Sequence, residues 1–134
     1  MIKQIKDSGI QFHPKKGCIL ICDFKGNILP EIVKKRPVVV VANQLQYRPR
    51  LAFIVPLSNT PPQNDVKYAV RLSHDYLSND DTPMWAKCDL LCSVSFSRLD
   101  RIKTGYRKYA TPTMSEEDFQ KVLQGLHHIF NFIS

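Results

Sequence analysis

Long apolar runs are missing from this sequence, and their absence limits where the chain can work. No apolar stretch approaches the roughly 20 residues that a membrane-spanning helix requires, and the N-terminal segment MIKQIKDSG lacks the apolar core of a signal peptide. Internal repeats and low-complexity segments are also missing. We therefore expect the 134 residues to form one cytoplasmic domain, residues 1–134, with no membrane contact and with residues 1–13 as an N-terminal arm.

Acidic residues are scarce in the first part of the chain. The net charge is +7; residues 1–50 hold 10 Lys and Arg against 3 Asp and Glu, whereas residues 51–134 hold 9 of each kind. A concentrated cationic surface favours a polyanion such as nucleic acid, because phosphate contacts release condensed counterions. A solvated basic face that only aids solubility is the alternative interpretation of the same charge.

The cysteines number only four, too few for a dense disulfide framework, and their spacing does not predict a metal site. The four residues form two Cys-x3-Cys pairs, Cys18 with Cys22 and Cys88 with Cys92, both in strand-like segments. Residues four apart on a strand are about 13 Å apart, at roughly 3.3 Å per residue. That separation is too large for two thiolates to share one zinc ion. We expect small buried thiols, no metal and no other cofactor.

Short strand-like segments fill most of the chain before its C-terminal region. The valine-rich segment 37–44 predicts a strand buried on both faces, and with segment 51–58 it predicts a hairpin. Segment 84–96 is expected to be one long strand. Ser115 and Asp118 are typical of a helix-capping box, and apolar residues follow them at helical spacing. The pattern predicts a small, strongly curved antiparallel sheet or barrel with one C-terminal helix.

Several segments in this order resemble the MazF/PemK family of type II toxin–antitoxin systems. They are KKGCILICDF, PEIVKKRPVVVVAN and VPLSNT, with KCDLLCSVSFSRL similar to the PemK branch and MSEEDFQKVLQGL similar to the family's C-terminal helix. The resemblance implies a mainly β fold with a C-terminal helix, a small SH3-like antiparallel barrel of the MazF/CcdB kind, usually a homodimer. It further implies a metal-independent endoribonuclease toxin that binds a cognate antitoxin. Such toxins cleave single-stranded RNA, including mRNA, to 2′,3′-cyclic phosphate and 5′-hydroxyl ends.

The resemblance also implies catalytic residues for this cleavage. Arg36 matches the family's catalytic arginine, whose guanidinium can donate two hydrogen bonds to phosphate oxygens. Ser58 matches a position that usually carries threonine, and serine keeps the hydroxyl donor. Asp89 matches an aspartate that could act as general base, and Lys87 matches an arginine that would share a strand face with it. The structural alternatives are a surface cation, a turn serine and a strand-edge ion pair.

Other residues are expected to bind RNA. Lys34 and Lys35 could follow phosphates, and Glu31 matches an acidic residue in the family's first loop. In the PemK branch, polar and cationic residues follow the Lys-Cys-Asp position, whereas Leu-Leu-Cys follows it here, so a relative's cleavage sequence does not transfer. The turn QYRPR supplies three more candidates for base stacking and charge: Tyr47, Arg48 and Arg50.

Two other functions are compatible with the same pattern. The CcdB-like gyrase poisons share the barrel, but they end in a tryptophan-containing tail, whereas this chain ends in FNFIS. A non-catalytic relative that binds RNA or an antitoxin is the second alternative. An RNA-cleavage assay distinguishes the endoribonuclease from both.

Overall fold

The computed structural model describes residues 9–43 and 49–131, and strands make up most of its regular structure. Within these ranges no helix has both the length and the apolar character needed to span a bilayer. Two 3₁₀ turns, Cys88–Leu90 and Phe96–Arg98, separate neighbouring strands. The strands and the helix are β1 (Ile19–Cys22), β2 (Arg36–Ala42), β3 (Leu51–Ser58), β4 (Ala69–Arg71), β5 (Trp85–Lys87), β6 (Cys92–Ser95), β7 (Leu99–Asp100), β8 (Ile102–Gly105), β9 (Lys108–Ala110) and α1 (Glu116–Phe130).

Seven strands form one antiparallel sheet in the order β4-β5-β3-β2-β1-β7, and β6 also pairs with β3. β8 and β9 form a separate hairpin. The prediction of a mainly β fold with a C-terminal helix is confirmed, but across the described residues the sheet is open rather than closed into a barrel. Its edge strands, β4 and β7, have only three and two residues, too few for a ladder that would close it. Instead, α1 packs on one apolar cluster of the sheet.

β2 lies in the middle of the sheet and is buried on both faces, as its valines predict. Val39 packs with residues of α1 in one apolar cluster, while Val38 and Val40 pack with Phe24 and Phe96 in a second cluster. Val38, Val39 and Val40 are fully buried. Each buried valine stabilises the fold by roughly 1.5–3 kcal/mol relative to an exposed one, so β2 is a rigid centre for the sheet.

The prediction of one long strand over residues 84–96 is wrong at its centre. β3 pairs with β5 at one end and with β6 at the other, and two residues of β3 face the five residues 87–91 of the partner segment. The surplus residues cannot continue the ladder, and they form the 3₁₀ turn Cys88–Leu90. The turn places Cys88 in the core, where its side chain is fully buried.

The predicted N-terminal arm lies partly outside the described residues, which begin at Gly9. The Ile10 side chain is buried, and its N–H donates to the carbonyl of Leu99 at 3.1 Å. Gly9 has φ +86°, and a Cβ there would lie 2.2 Å from the carbonyl oxygen of Phe96, so only glycine fits. This short stretch therefore packs closely against the segment that leads into β7.

α1 begins at a capping serine and is fixed to the rest of the molecule by a buried aspartate. The Ser115 hydroxyl oxygen accepts the N–H of Asp118 at 3.2 Å, as the capping pattern predicts. In a complete capping box the Asp118 side chain would accept the Ser115 N–H. Here the Ser115 N–H donates to the Tyr76 hydroxyl instead, at 3.0 Å. The fully buried Asp118 carboxylate instead accepts the Tyr76 hydroxyl at 2.6 Å and the Ser73 hydroxyl at 2.7 Å. These bonds tie the start of α1 to the loop after β4.

We expect Asp118→Asn to destabilise the protein by about 2 kcal/mol or more at pH 7, because it weakens charge-assisted hydrogen bonds to a buried group. Burial alone would raise the pKa of Asp118, but hydrogen bonds from Tyr76 and Ser73, with the nearby Lys121 charge, hold the pKa below its ordinary value. The carboxylate's contribution is therefore present above the unfolded-state pKa, about 4, and is lost as the pH falls through the folded-state pKa.

Urea unfolding of both proteins between pH 7 and pH 3 measures this effect. The difference in unfolding free energy should shrink towards the acid end. A difference that stays constant over this range would contradict the role assigned to the charged carboxylate. Tyr76→Phe, which removes the donor to Asp118 and the acceptor of the Ser115 N–H, should also destabilise the protein, by about 1–3 kcal/mol.

Candidate functional site

Two of the predicted catalytic residues meet where β2 begins and β3 ends. The strands are antiparallel with Val38 opposite Pro56, and the same register continued by two residues brings Arg36 level with Ser58. Arg36 is exposed and Ser58 is half-buried. The Ser58 hydroxyl oxygen accepts the N–H of Thr60 at 3.0 Å, which orients the oxygen while its hydrogen can still be donated.

The other two predicted catalytic residues come from the segment that runs beside β3. Lys87 ends β5, and Asp89 lies in the 3₁₀ turn that follows. The expectation that both stand on one face of a continuous strand is wrong, because the turn interrupts the strand's alternation. Between them, Cys88 is buried, and burial together with the Asp89 charge raises the pKa of its thiol to about 12. Asp89 itself is exposed.

Despite the turn, all four residues line one cavity of about 340 Å³. We call it the central cavity. Two cations, one carboxylate and one hydroxyl converge there beside apolar side chains. Guanidinium and ammonium groups can bind a phosphate, and a carboxylate can accept a proton. The lining residues are Ile32, Arg36, Pro56, Leu57, Ser58, Lys87, Asp89 and Leu90.

Smaller cavities adjoin the central cavity on both sides. One, of about 190 Å³, shares Asp89 and Leu90 with it and is also lined by Glu31. The other, of about 210 Å³, shares Lys87 and Asp89. Its remaining wall includes residues of the loop 62–66, to which the sequence analysis assigned no role. The sequence offered one indication of a role for this loop, because the loop directly follows β3, the strand that ends at the candidate residue Ser58. Asp89 borders all three cavities.

The loop between β1 and β2 is held by its own hydrogen bonds. The Glu31 carboxylate accepts the N–H of Ile28 at 2.8 Å, and the Asn27 side chain donates to the carbonyl of Ile32 at 3.0 Å. Arg98 Nη1 donates to two carbonyls of the loop, at 2.9 and 2.8 Å. The Glu31 carboxylate is therefore part of the loop's own structure, and its contact with RNA stays a prediction.

Of the remaining predicted RNA-binding residues, those that the structure describes do not line the central cavity. Lys34 is exposed. Lys35 is also exposed, and it lines a different cleft. Tyr47 and Arg48 lie outside the described residues.

Arg50 is separated from the central cavity by the length of a strand. It precedes β3, whereas Ser58 ends β3, and eight residues of strand span roughly 26 Å. Its guanidinium donates to the carbonyl of Ile10 at 3.0 Å and lies 4.9 Å from the centre of the Phe96 ring. Arg50 therefore helps to hold the segment around Ile10, and a contact with RNA stays a prediction.

The cysteine thiols are unsuited to metal binding or nucleophilic chemistry. Three are buried and Cys92 is partly buried. Burial raises the pKa of each thiol, to about 12 for Cys22 and Cys88, so all four stay protonated at neutral pH. The strand-spacing argument does not hold for Cys88 and Cys92, because Cys88 lies in the 3₁₀ turn. Over the described ranges, no three His, Cys, Asp or Glu residues are grouped to hold a metal ion.

Solved structures with the same fold include bacterial toxins. MazF (Form-I) from Deinococcus radiodurans has a TM-score of 0.66 to this chain at 15% identity, covering 90% of this chain and 98% of that one. An endoribonuclease in complex with its cognate antitoxin, from Mycobacterial species, has a TM-score of 0.60 at 14% identity over the same shares. At these identities the likeness shows the fold alone. The protein therefore has a MazF-like fold.

Comparison of the sequence with known proteins identifies a family, which the likeness in fold does not. The uncharacterized protein YifN of Escherichia coli (strain K12) is 31% identical over 147 aligned residues, which cover 93% of this chain and 97% of YifN. The family model of PemK-like, MazF-like toxins of type II toxin–antitoxin systems matches residues 15–130. The chain belongs to this family, which confirms the resemblance found in its sequence.

The turn that presents Asp89 depends on a close contact with α1. Gly125 of α1 faces the turn, and a Cβ added there would lie 2.6 Å from Val70 Cγ2 and 2.7 Å from Cys88 Sγ. The Cys88 thiol also donates to the carbonyl of Val122 at 3.5 Å. A larger residue at 125 would therefore force the Val70 and Cys88 side chains to shift where the helix and the turn approach each other.

We expect Gly125→Ala to destabilise the protein by about 1 kcal/mol in urea unfolding. Overpacking costs about 1–3 kcal/mol, and the gain in helix propensity of about 1 kcal/mol offsets part of it. Gly105→Ala is the matched control, since its Cβ would meet only the Lys108 side chain, at 3.7 Å. A Gly125→Ala protein more stable than the wild type would show that the contact is not tight.

Proposed function

We propose that this protein is the toxin of a type II toxin–antitoxin system, a single domain over residues 1–134 that acts in the cytoplasm as a metal-independent endoribonuclease on single-stranded RNA. The observation that carries the proposal is the central cavity, where Arg36, Ser58, Lys87 and Asp89 converge. Membership in the PemK-like, MazF-like family supports the same activity.

In the proposed reaction, the ribose 2′-oxygen bonds to the neighbouring phosphorus while the bond from phosphorus to the 5′-oxygen breaks. Asp89 accepts the 2′ proton as general base. Arg36 donates two hydrogen bonds to the non-bridging oxygens as negative charge develops on them, and Ser58 adds a hydroxyl donor. Lys87 places a second positive charge beside the phosphate. The departing 5′-oxygen takes a proton from solvent water and Asp89 later releases the 2′ proton to solvent, which leaves a 2′,3′-cyclic phosphate and a 5′-hydroxyl.

The proposal includes two protein partners, a cognate antitoxin and a second copy of the chain. The Mycobacterial endoribonuclease was solved with its cognate antitoxin, and the Deinococcus radiodurans toxin was solved as MazE–MazF. Exposed apolar side chains are available for contacts with another chain. They include Ile28, Leu29 and Phe130, each more than two-thirds exposed.

We expect Arg36→Gln to lower the rate of RNA cleavage by about 100-fold or more, because it removes the charged fork that stabilises the pentavalent phosphorane. Primer extension on a long single-stranded RNA in EDTA measures the cleavage. The wild type should give discrete cuts with 5′-hydroxyl ends. Arg36→Lys should be intermediate, since it keeps the charge and loses the bidentate geometry.

Lys16→Gln is the matched control for loss of one positive charge. Lys16 is exposed and precedes Gly17, whose N–H donates to the carbonyl of Val40 at the far end of β2. The Lys16→Gln protein should cleave RNA at the same rate as the wild type. RNA left intact by the wild type at high protein concentration and low salt would remove the endoribonuclease assignment. Gyrase inhibition and RNA binding would then test the two alternatives.

A further inference from the structure

A second cleft lies on the other side of the start of β2, and we propose that it binds single-stranded RNA extending beyond the central cavity. The inference rests on the proposed function, because it gives that function's substrate a longer path on the protein. The cleft has a volume of about 350 Å³. Its charged lining residues are Lys35, Arg98, Arg101, Lys103, Asp23 and Asp100.

Three of the four cations of the cleft face solvent, Arg98 donates to loop carbonyls, and each carboxylate accepts a backbone N–H. Lys35, Arg101 and Lys103 are exposed. One oxygen of Asp23 accepts the N–H of Lys25 at 2.9 Å, and one oxygen of Asp100 accepts the N–H of Arg101 at 2.7 Å. Four cations against two carboxylates give the lining a net charge of +2, which favours an anionic ligand such as a phosphate chain.

The β8–β9 hairpin and the residue before it supply two of the four cations that line the cleft, Lys103 and Arg101. Residues 101–109 hold four cations and no acidic residue. The balanced charge of residues 51–134 concealed this local excess, because acidic residues at 65–81 and 116–118 offset it in the total. Folding places the hairpin beside Lys35 in the cleft, so the cationic surface draws on both parts of the chain.

Aromatic rings among these cations favour RNA over an acidic protein segment. The Arg101 guanidinium lies 4.3 Å from the centre of the Tyr109 ring, which lines the cleft and is 43% exposed. At the hairpin turn, Arg107 lies 5.2 Å from the Tyr106 ring, which is 80% exposed. Exposed rings paired with guanidinium groups can stack on bases, whereas an acidic peptide needs only the charge.

The cleft and the central cavity are joined by neighbouring residues. Lys35 lines the cleft and Arg36 lines the central cavity. Their Cα atoms are about 3.8 Å apart across one peptide bond. A strand of RNA with its scissile phosphate at Arg36 therefore has a second row of cations within reach on the far side of β2.

Binding of fluorescein-labelled RNA by full-length Arg36→Gln protein tests the inference without cleavage. The probes are a 20-nucleotide and a 4-nucleotide single strand, with anisotropy followed from low to high KCl. We expect Arg101→Gln with Lys103→Gln to weaken binding of the 20-mer by about 10-fold, and to reduce the magnitude of its salt slope by about 1.4, at roughly 0.7 per phosphate contact. Binding of the 4-mer should change by less than about 2-fold.

Two further variants separate stacking and non-specific charge from the cleft. Tyr109→Leu should weaken binding of the 20-mer by about 5-fold with an unchanged salt slope, because it removes stacking rather than charge. Lys16→Gln with Lys121→Gln removes two exposed cations that do not line the cleft, and should leave 20-mer binding within about 2-fold. An equal loss in this control and in the cleft variant would overturn the inference.

Two outcomes distinguish this inference from the proposed function. If the wild type cleaves RNA but the cleft substitutions leave 20-mer binding unchanged, the inference is overturned and the proposed function stands. Cleft-dependent binding of RNA by a wild type that cleaves nothing would support the inference and remove the endoribonuclease assignment. Loss of affinity for a 20-residue polyglutamate peptide, with RNA binding unchanged, would identify a surface for an acidic protein and overturn the RNA site.

Discussion

The antiparallel register of β2 and β3 is the constraint on which the rest of the molecule depends. β2 is buried on both faces, so it cannot slide without repacking two apolar clusters. With Val38 held opposite Pro56, Arg36 and Ser58 come to the same end of the sheet. Two of the candidate catalytic groups are therefore positioned by the core, and rigid elements hold such groups more precisely than loops do.

The other side of the central cavity is positioned by residues far away in the chain. Asp89 lies in a turn whose buried member, Cys88, meets α1 at Gly125. α1 is in turn fixed at its first turn by the buried Asp118. The C-terminal helix therefore does more than cover the sheet. A change in its docking would move the turn, and with it the carboxylate proposed as general base.

Charge on this protein is organised around the start of β2 rather than along the sequence. The densest cationic segment, Lys34 to Arg36, ends where the strand begins. Lys35 and Arg36 line cavities on the two sides of the start of β2. The β8–β9 hairpin adds further cations to one of them. The charge totals for residues 1–50 and 51–134 revealed the cations before β2 and hid those of the hairpin. A total does not show which distant segments lie together in the fold.

The sequence by itself indicated strands β1 to β4, the terminal helix and the family, because valine burial, helix capping and short motifs are local properties that need no partner. It also indicated four of the residues that line the central cavity, Arg36, Ser58, Lys87 and Asp89. Tertiary structure alone decided the break at Cys88–Leu90, since that turn arises from surplus residues against β3, and the open sheet, since its edge strands are short. It also placed Lys35 in the neighbouring cleft and Arg50 at the opposite end of β3 from the central cavity. Such outcomes depend on register between distant segments, and a single sequence does not record register.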